Sequence, residues 1–190
     1  MRSATQALIP ALWALWLLYW IVAARGTKPT QRHESVRSRA SHHVPLIAGA
    51  ALLVIPNILG PALEQAFLPP APAWPWIGTT LVAIGLGFAA AARVWLGGNW
   101  SATVTLKQGH ELIRSGPYAV VRHPIYTGML LALAGTAMTI DKWRALAGLA
   151  LIVIAFVRKL TIEERFMAEQ FGEAYARYRA EVAMLIPYIA

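Results

Sequence analysis

Apolar runs too long for a buried core helix govern what this chain can fold into. A helix rises about 1.5 Å per residue, so roughly 20 apolar residues cross the hydrocarbon core of a bilayer. Five segments meet or approach that length: residues 7–24, 44–63, 76–96, 125–140 and 143–157. Only Asp141 and Lys142 separate the last two, which predicts an antiparallel hairpin. Pro56 and Pro61 fall inside the second segment, where a membrane helix tolerates a kink if neighbours satisfy the freed carbonyls. The small residues Gly128, Ala132 and Gly135 let the fourth segment pack closely on a neighbour. Only 14% of the 190 residues are charged, against about 25% in soluble domains. The length gives one compact bundle with little room for a second domain.

The basic residues orient that bundle. Arg25, Lys28, Arg32, Arg37 and Arg39 follow the first segment, and Lys107, Arg114 and Arg122 follow the third, with Arg93 at its end. Arg158, Lys159, Arg165, Arg177 and Arg179 follow the fifth. Of 17 basic residues, only Arg2, Lys142 and Arg144 fall on the other side. The positive-inside rule then places the N-terminus outside, and the long loops and tail in the cytoplasm. Trp20, Trp74, Trp76, Trp95, Trp100 and Trp143 lie near segment ends, where indoles favour the membrane interface.

This use of the charge displaces a nucleic-acid reading of the net +8. A cleaved signal peptide ending at Val22-Ala23-Ala24 is the competing reading of the first segment. Its bulk (Trp13, Trp16, Tyr19, Trp20) argues for a retained span. The absence of cysteine excludes disulfides, thiolate metal sites and a cysteine nucleophile. No metal site is expected, because His110 and His123 stand 13 apart with no third ligand at metal spacing.

Polar chemistry in such a chain belongs at a membrane face or in a protein-lined cavity. Two stretches on the basic side suit it. Residues 99–126 read NWSATVTLKQGHELIRSGPYAVVRHPIY, too long for a simple connection and punctuated by Gly109, Gly116 and Pro117. His123 precedes a proline, which biases it towards extended geometry, and a helix starts immediately after. His123 and Tyr126 thus stand at a helix entrance with free backbone N–H groups, a place for a carboxylate. Residues 158–181 continue the fifth segment as an amphipathic helix anchored by Leu160, Ile162, Phe166, Met167 and Phe171, with a break at Gly172. Lys159 and Glu163 share a face at i, i+4. Taken singly, these residues have plainer readings. The histidines suit a surface loop, with His42-His43 in a basic interfacial loop. Glu163-Glu164 suits a solvated face balancing Arg165, and Tyr175 with Tyr178 an interfacial belt.

Together, HELIRSGPYAVVRHPIYTG at 110–128, EERF at 163–166 and FGEAYARY at 171–178 resemble the isoprenylcysteine carboxyl methyltransferase family. That family lies within the wider membrane methyltransferase group that includes phospholipid N-methyltransferases. The resemblance covers about residues 97–187, and the first three spans match only as apolar segments. It implies an all-α fold, a polytopic membrane bundle of five transmembrane helices with a cytoplasmic cofactor-binding loop and a C-terminal amphipathic helix. Residues 1–96 would be the first three spans, and 97–190 the cofactor-binding and catalytic part of one domain. It implies S-adenosylmethionine as cofactor and S-adenosylhomocysteine as product. The implied cofactor residues are His110, Glu111, Leu112, Ile113, Tyr118, His123, Pro124, Ile125, Tyr126 and Glu163. Thr105 stands at an upstream polar position that is usually glutamine. The substrate-contacting arginine falls on Lys159, with Arg158 adjacent, and lysine offers a point charge in place of a fork.

The implied reaction is methyl transfer to a lipophilic acceptor entering from the bilayer, first among them the carboxylate of an isoprenylcysteine-like substrate. A carboxylate is ionised at neutral pH, so positioning and exclusion of water are the main requirements. The basic face also suits anionic membrane lipids. The alternatives are a phospholipid or other amine N-methyltransferase and an NADPH-dependent membrane sterol-type reductase. The expected location is an integral, multi-pass inner membrane of bacterial or archaeal type, with the active site in the cytoplasm.

Overall fold

Prolines, glycines and caps decide where the helices of this chain begin and stop. The computed structural model describes residues 2–26, 29–101, 105–107 and 111–187. In chain order these form α1 (Arg2–Ala23), β1 (Thr30–His33), α2 (Val36–Val54), α3 (Trp74–Leu96), β2 (Thr105–Lys107), α4 (Pro124–Ile140), α5 (Trp143–Phe171) and α6 (Glu173–Glu181). Among the described residues, two regions, Trp74–Asn99 and Trp143–Phe171, are long and apolar enough to cross a membrane. Ala7–Ala23 and Pro124–Ile140 are shorter apolar helices.

The second predicted span is displaced. Its helix covers Val36–Val54 in place of 44–63. Ser35 caps the start, its hydroxyl accepting the Ser38 N–H at 3.2 Å. Pro56 ends the helix, because it has no N–H for the carbonyl of Leu52. Arg144, buried in α5, supplies the missing donors: its guanidinium reaches the carbonyls of Leu52 at 2.5 Å and Leu53 at 3.0 Å. Its Nε lies 2.8 Å from Glu64 Oε1. Hence Arg144→Ala should destabilise the protein by about 2–4 kcal/mol, leaving two carbonyls without these donors and Glu64 with the Asn57 N–H but without its ion-pair partner. Thermal unfolding in detergent would show it, with Arg144→Lys recovering only part of the loss.

Helix α3 packs chiefly on α4, and α2 on α5. Glycines make both contacts possible. A Cβ on Gly49 would stand 2.6 Å from the Gly148 carbonyl oxygen, and one on Gly148 would stand 2.7 Å from that of Gly49. Gly85 with Gly128, and Gly78 with Gly135, make equally close reciprocal approaches between α3 and α4. Where lipid surrounds the helices, such backbone contact replaces the hydrophobic effect as the source of association. Asp141 turns the chain from α4 into α5 in the left-handed conformation, φ 52°. Its carboxylate accepts the N–H groups of Phe67 at 3.2 Å and Leu68 at 2.9 Å, fastening the segment before α3 to this turn.

The fold is all-helical as expected, apart from one short ribbon. β1 and β2 form an antiparallel ribbon pairing Thr30 with Lys107 and His33 with Thr105, with an irregularity between Thr30 and Arg32. Strands this short carry no usable period, and their partner is far away in sequence. The segment after α6 lies against the start of α4. Arg122 N–H donates to Ala183 O at 2.8 Å, His123 N–H to Met184 O at 3.1 Å, and the Thr127 hydroxyl to Leu185 O at 2.7 Å.

Candidate active site

A cavity of about 330 Å³ opens where α1, α4, α5 and α6 meet the segments around 96–101 and 111–118. Its wall carries the polar residues Glu111, Arg122, His123, Tyr126, Lys159 and Glu163. The same wall is otherwise apolar and aromatic, with Trp16, Trp20, Leu96, Trp100, Met129 and Phe156, whose ring meets that of Tyr126 at 5.1 Å. Trp16 stacks on Trp20 at 4.5 Å, and Trp20 meets Trp100 edge-on at 5.4 Å. Asn99 is buried on the same wall, its carbonyl oxygen accepting the Glu111 N–H at 3.4 Å.

His123 is fixed from both sides. Pro124 occupies the first position of α4, and no side chain caps that helix. Its first N–H groups are left to a ligand or to water. Behind His123, the backbone is tied to Met184.

The adjacent glutamates of α5 divide their work. Glu163 faces the cavity: the Tyr126 hydroxyl donates to its Oε1 at 2.8 Å, with Lys159 Nζ 3.9 Å from the same oxygen. Lys159 also stands 5.5 Å above the Tyr126 ring. Glu164 turns inward and is only 5% exposed. Arg122 Nε reaches its Oε1 at 2.7 Å and His123 Nε2 the same oxygen at 3.2 Å, while Arg179 Nε lies 3.2 Å from Oε2. Burial alone would raise this carboxyl, which lies in the charged extension of α5. The hydrogen bonds from His123 and Arg122 prevail and hold it at about 2. It is thus no solvated counterpart of Arg165. Tyr175 and Tyr178 are likewise buried rather than interfacial. Burial pushes the Tyr178 phenol up to about 12, and its hydroxyl donates to the Tyr118 carbonyl at 2.6 Å.

Of the residues singled out from sequence, Glu111, Leu112, Ile113, Tyr118, His123, Ile125, Tyr126, Lys159 and Glu163 share this cavity wall. Pro124 is buried behind it and serves as the start of α4. Arg158 does not join them: it is exposed, and its Nε donates to Ser41 Oγ of α2 at 3.2 Å. One residue along a helix turns the side chain by about 100°, which carries Arg158 towards α2 while Lys159 faces the cavity. Thr105 lies in β2, but its side chain and all of His110 fall outside the described residues. Sequence reasoning missed Asn99, Trp16 and Trp20 as site residues. Asn99 stands at the head of the polar stretch, and only the fold brings α1 to the cavity.

A family model described as phospholipid methyltransferase matches residues 74–174. A protein-S-isoprenylcysteine O-methyltransferase B of Arabidopsis thaliana is 26% identical over 73% of this chain and 74% of its own length. The Schizosaccharomyces pombe protein-S-isoprenylcysteine O-methyltransferase is 32% identical over 56% of this chain and 46% of its own. In fold, the chain is similar to a solved eukaryotic intramembrane Ras methyltransferase, an isoprenylcysteine carboxyl methyltransferase. The TM-score is 0.57 at 24% identity, covering 78% of this chain and 52% of that one. The chain therefore spans between about half and three quarters of the length of these relatives.

Proposed function

We propose that this chain, which belongs to the phospholipid methyltransferase family, transfers a methyl group from S-adenosylmethionine to the carboxylate of a lipophilic, isoprenylcysteine-like acceptor. The observation that carries this reading is one cavity whose wall joins ionisable groups to aromatic and apolar side chains. His123 and Tyr126 stand at the uncapped start of α4 with Glu163 of α5 beside them, and aromatic, apolar side chains line the same cavity. The names of the similar proteins support the same acceptor class.

The residues present fit the donor. An uncapped helix N-terminus suits its amino-acid carboxylate, and Glu163 with the surrounding aromatic rings suits a cation. When bound, S-adenosylmethionine supplies an electrophilic methyl group on a positively charged sulfur. Glu163, oriented by the Tyr126 hydroxyl, offsets that charge. His123 lines the same pocket, its ring fastened to Glu164. Lys159 orients the acceptor carboxylate, which needs no base. Trp16, Trp20 and Trp100 exclude water and seat the lipophilic tail.

In this reading residues 1–190 act as one domain. Residues 1–96 shape the acceptor's path, and residues 97–190 hold the donor. Five helices span the membrane with the N-terminus outside, the cavity opens to the cytoplasm, and the acceptor enters from the bilayer. The test is turnover with labelled S-adenosylmethionine against prenylcysteine analogues, phospholipids and small hydrophobic acids. Methyl ester formation on the prenylcysteine analogues supports the reading; methylation of phospholipid amines alone replaces it. In Lys159→Ala, acceptor turnover should fall at least roughly tenfold, while donor affinity stays within about twofold.

A further inference from the structure

One buried cation beside the cavity takes no part in the reaction above. Arg93, in the last turn of α3, is only 4% exposed and does not line the cavity. A buried guanidinium is costly unless its charge is compensated. Among the described residues its partners are two carbonyls and one aromatic ring, with no carboxylate. Its Nη1 donates to Gly97 O at 2.7 Å, and its Nη2 donates to Ala23 O at 2.6 Å. Gly97 is the C-cap of α3, and Ala23 is the last residue of α1. Each helix end carries roughly half a negative charge, so two ends together offset one cation. A planar fork thus fastens the end of α1 to the end of α3, which a point charge on a flexible stem does less well.

The rest of α1 has its own ties. Trp13 Nε1 donates to Thr136 Oγ1 at 3.0 Å, and the Tyr19 hydroxyl donates to Ala90 O at 3.3 Å. These hold the helix on α4 and α3 and leave its C-terminal end to Arg93. The guanidinium also lies 4.8 Å over the Trp100 ring. Trp100 meets Trp20 edge-on at 5.4 Å, and Trp20 stacks on Trp16 at 4.5 Å. Arg93 therefore ends a ladder of planar groups whose three indoles are all on the cavity wall. A desolvated cation holds an aromatic face more strongly than an exposed one does.

We propose that Arg93 is a positioning residue for the acceptor: by clamping the ends of α1 and α3 and holding Trp100 against Trp20, it shapes the seat of the lipophilic tail and sets the preference for long tails. The inference rests on the reading of the cavity as a methyl-transfer site for a lipophilic acceptor. Without the fork, the end of α1 and the segment after α3 separate, and the indole ladder opens. Glu163, Tyr126 and His123, which serve the donor, stand on or just before α4 and α5 and have their own hydrogen bonds. They stay in place.

Turnover of the full chain in detergent, with labelled S-adenosylmethionine, tests this. Two acceptors are compared: a long-tailed prenylcysteine analogue and the same compound truncated to a single isoprene unit. The readout is the ratio of their kcat/KM values. In Arg93→Met, which keeps an apolar side chain in the buried position, this ratio should fall roughly tenfold, through a higher KM for the long-tailed acceptor. The kcat/KM of the truncated acceptor and the donor affinity by calorimetry should stay within about twofold. Arg93→Lys, which keeps the charge but loses the fork, should fall between the two. A merely structural role would lower both acceptors alike. Equal loss for both, or an unchanged ratio, overturns the proposal. If Arg93→Met does not fold, the same ratio in Arg93→Lys decides. Failure of the underlying reading looks different: the unmodified protein would methylate neither analogue.

Discussion

Replacing Glu164 with alanine should destabilise the protein by about 3–5 kcal/mol and abolish donor binding with it, although Glu164 is not on the cavity wall. Its carboxylate holds Arg122, His123 and Arg179 together, and removing it leaves the largely buried Arg122 without its ion-pair partner. Arg122 in turn donates to the carbonyls of Arg179, at 3.2 Å, and Val182, so the tail that pins His123 loosens as well. The same network predicts an acid limb. The folded carboxyl titrates at about 2 against an ordinary value of 4.5. A depressed value contributes stability above 4.5, and that contribution is lost as pH falls from 4.5 through 2. Thermal unfolding of the unmodified protein and Glu164→Gln across that range measures it: the part of the acid loss owed to this residue should disappear in the variant.

The second large effect falls on binding alone. Glu163→Ala and His123→Ala should each lower affinity for S-adenosylmethionine by at least roughly a hundredfold, while the protein remains folded and extractable. Glu163 is partly open to the cavity and joins Tyr126 and Lys159, so its loss leaves no deeply buried charge behind. His123→Ala removes one of several donors to Glu164, and the remaining Arg122 and Arg179 keep that carboxylate paired. Calorimetry gives the affinity and thermal unfolding the control. Undiminished affinity in both variants would put the donor elsewhere.

These contrasts show which parts of the molecule were legible in advance. α3 and α4 begin and end almost where the tryptophans and the His123-Pro124 step place them. α2 was misplaced because hydropathy counts Ile55, Ile58, Leu59 and Leu63 as span, whereas Pro56 withholds an amide and ends the helix. Its true first turns are polar and largely exposed, so hydropathy does not count them as helix. In the site, motif spacing brought out His123, Tyr126 and Glu163, since all three stand at helix ends or on one helical face. Which of the two adjacent glutamates enters the core depends on how α5 rotates against Arg122, and sequence alone does not contain that angle. Arg158 was grouped with its neighbour Lys159 for the same reason, and the helix turns them apart. His42 looked like part of a basic loop because Glu34 becomes its partner only once α2 is capped at Ser35.

The central claim is that the ionisable groups on the wall of this cavity form a donor site for S-adenosylmethionine. The direct measurement is equilibrium binding of labelled S-adenosylmethionine to the purified full chain in detergent, with NADPH as competitor. The account predicts saturable binding that S-adenosylhomocysteine displaces and NADPH does not. Binding of NADPH, with none of S-adenosylmethionine, would contradict it.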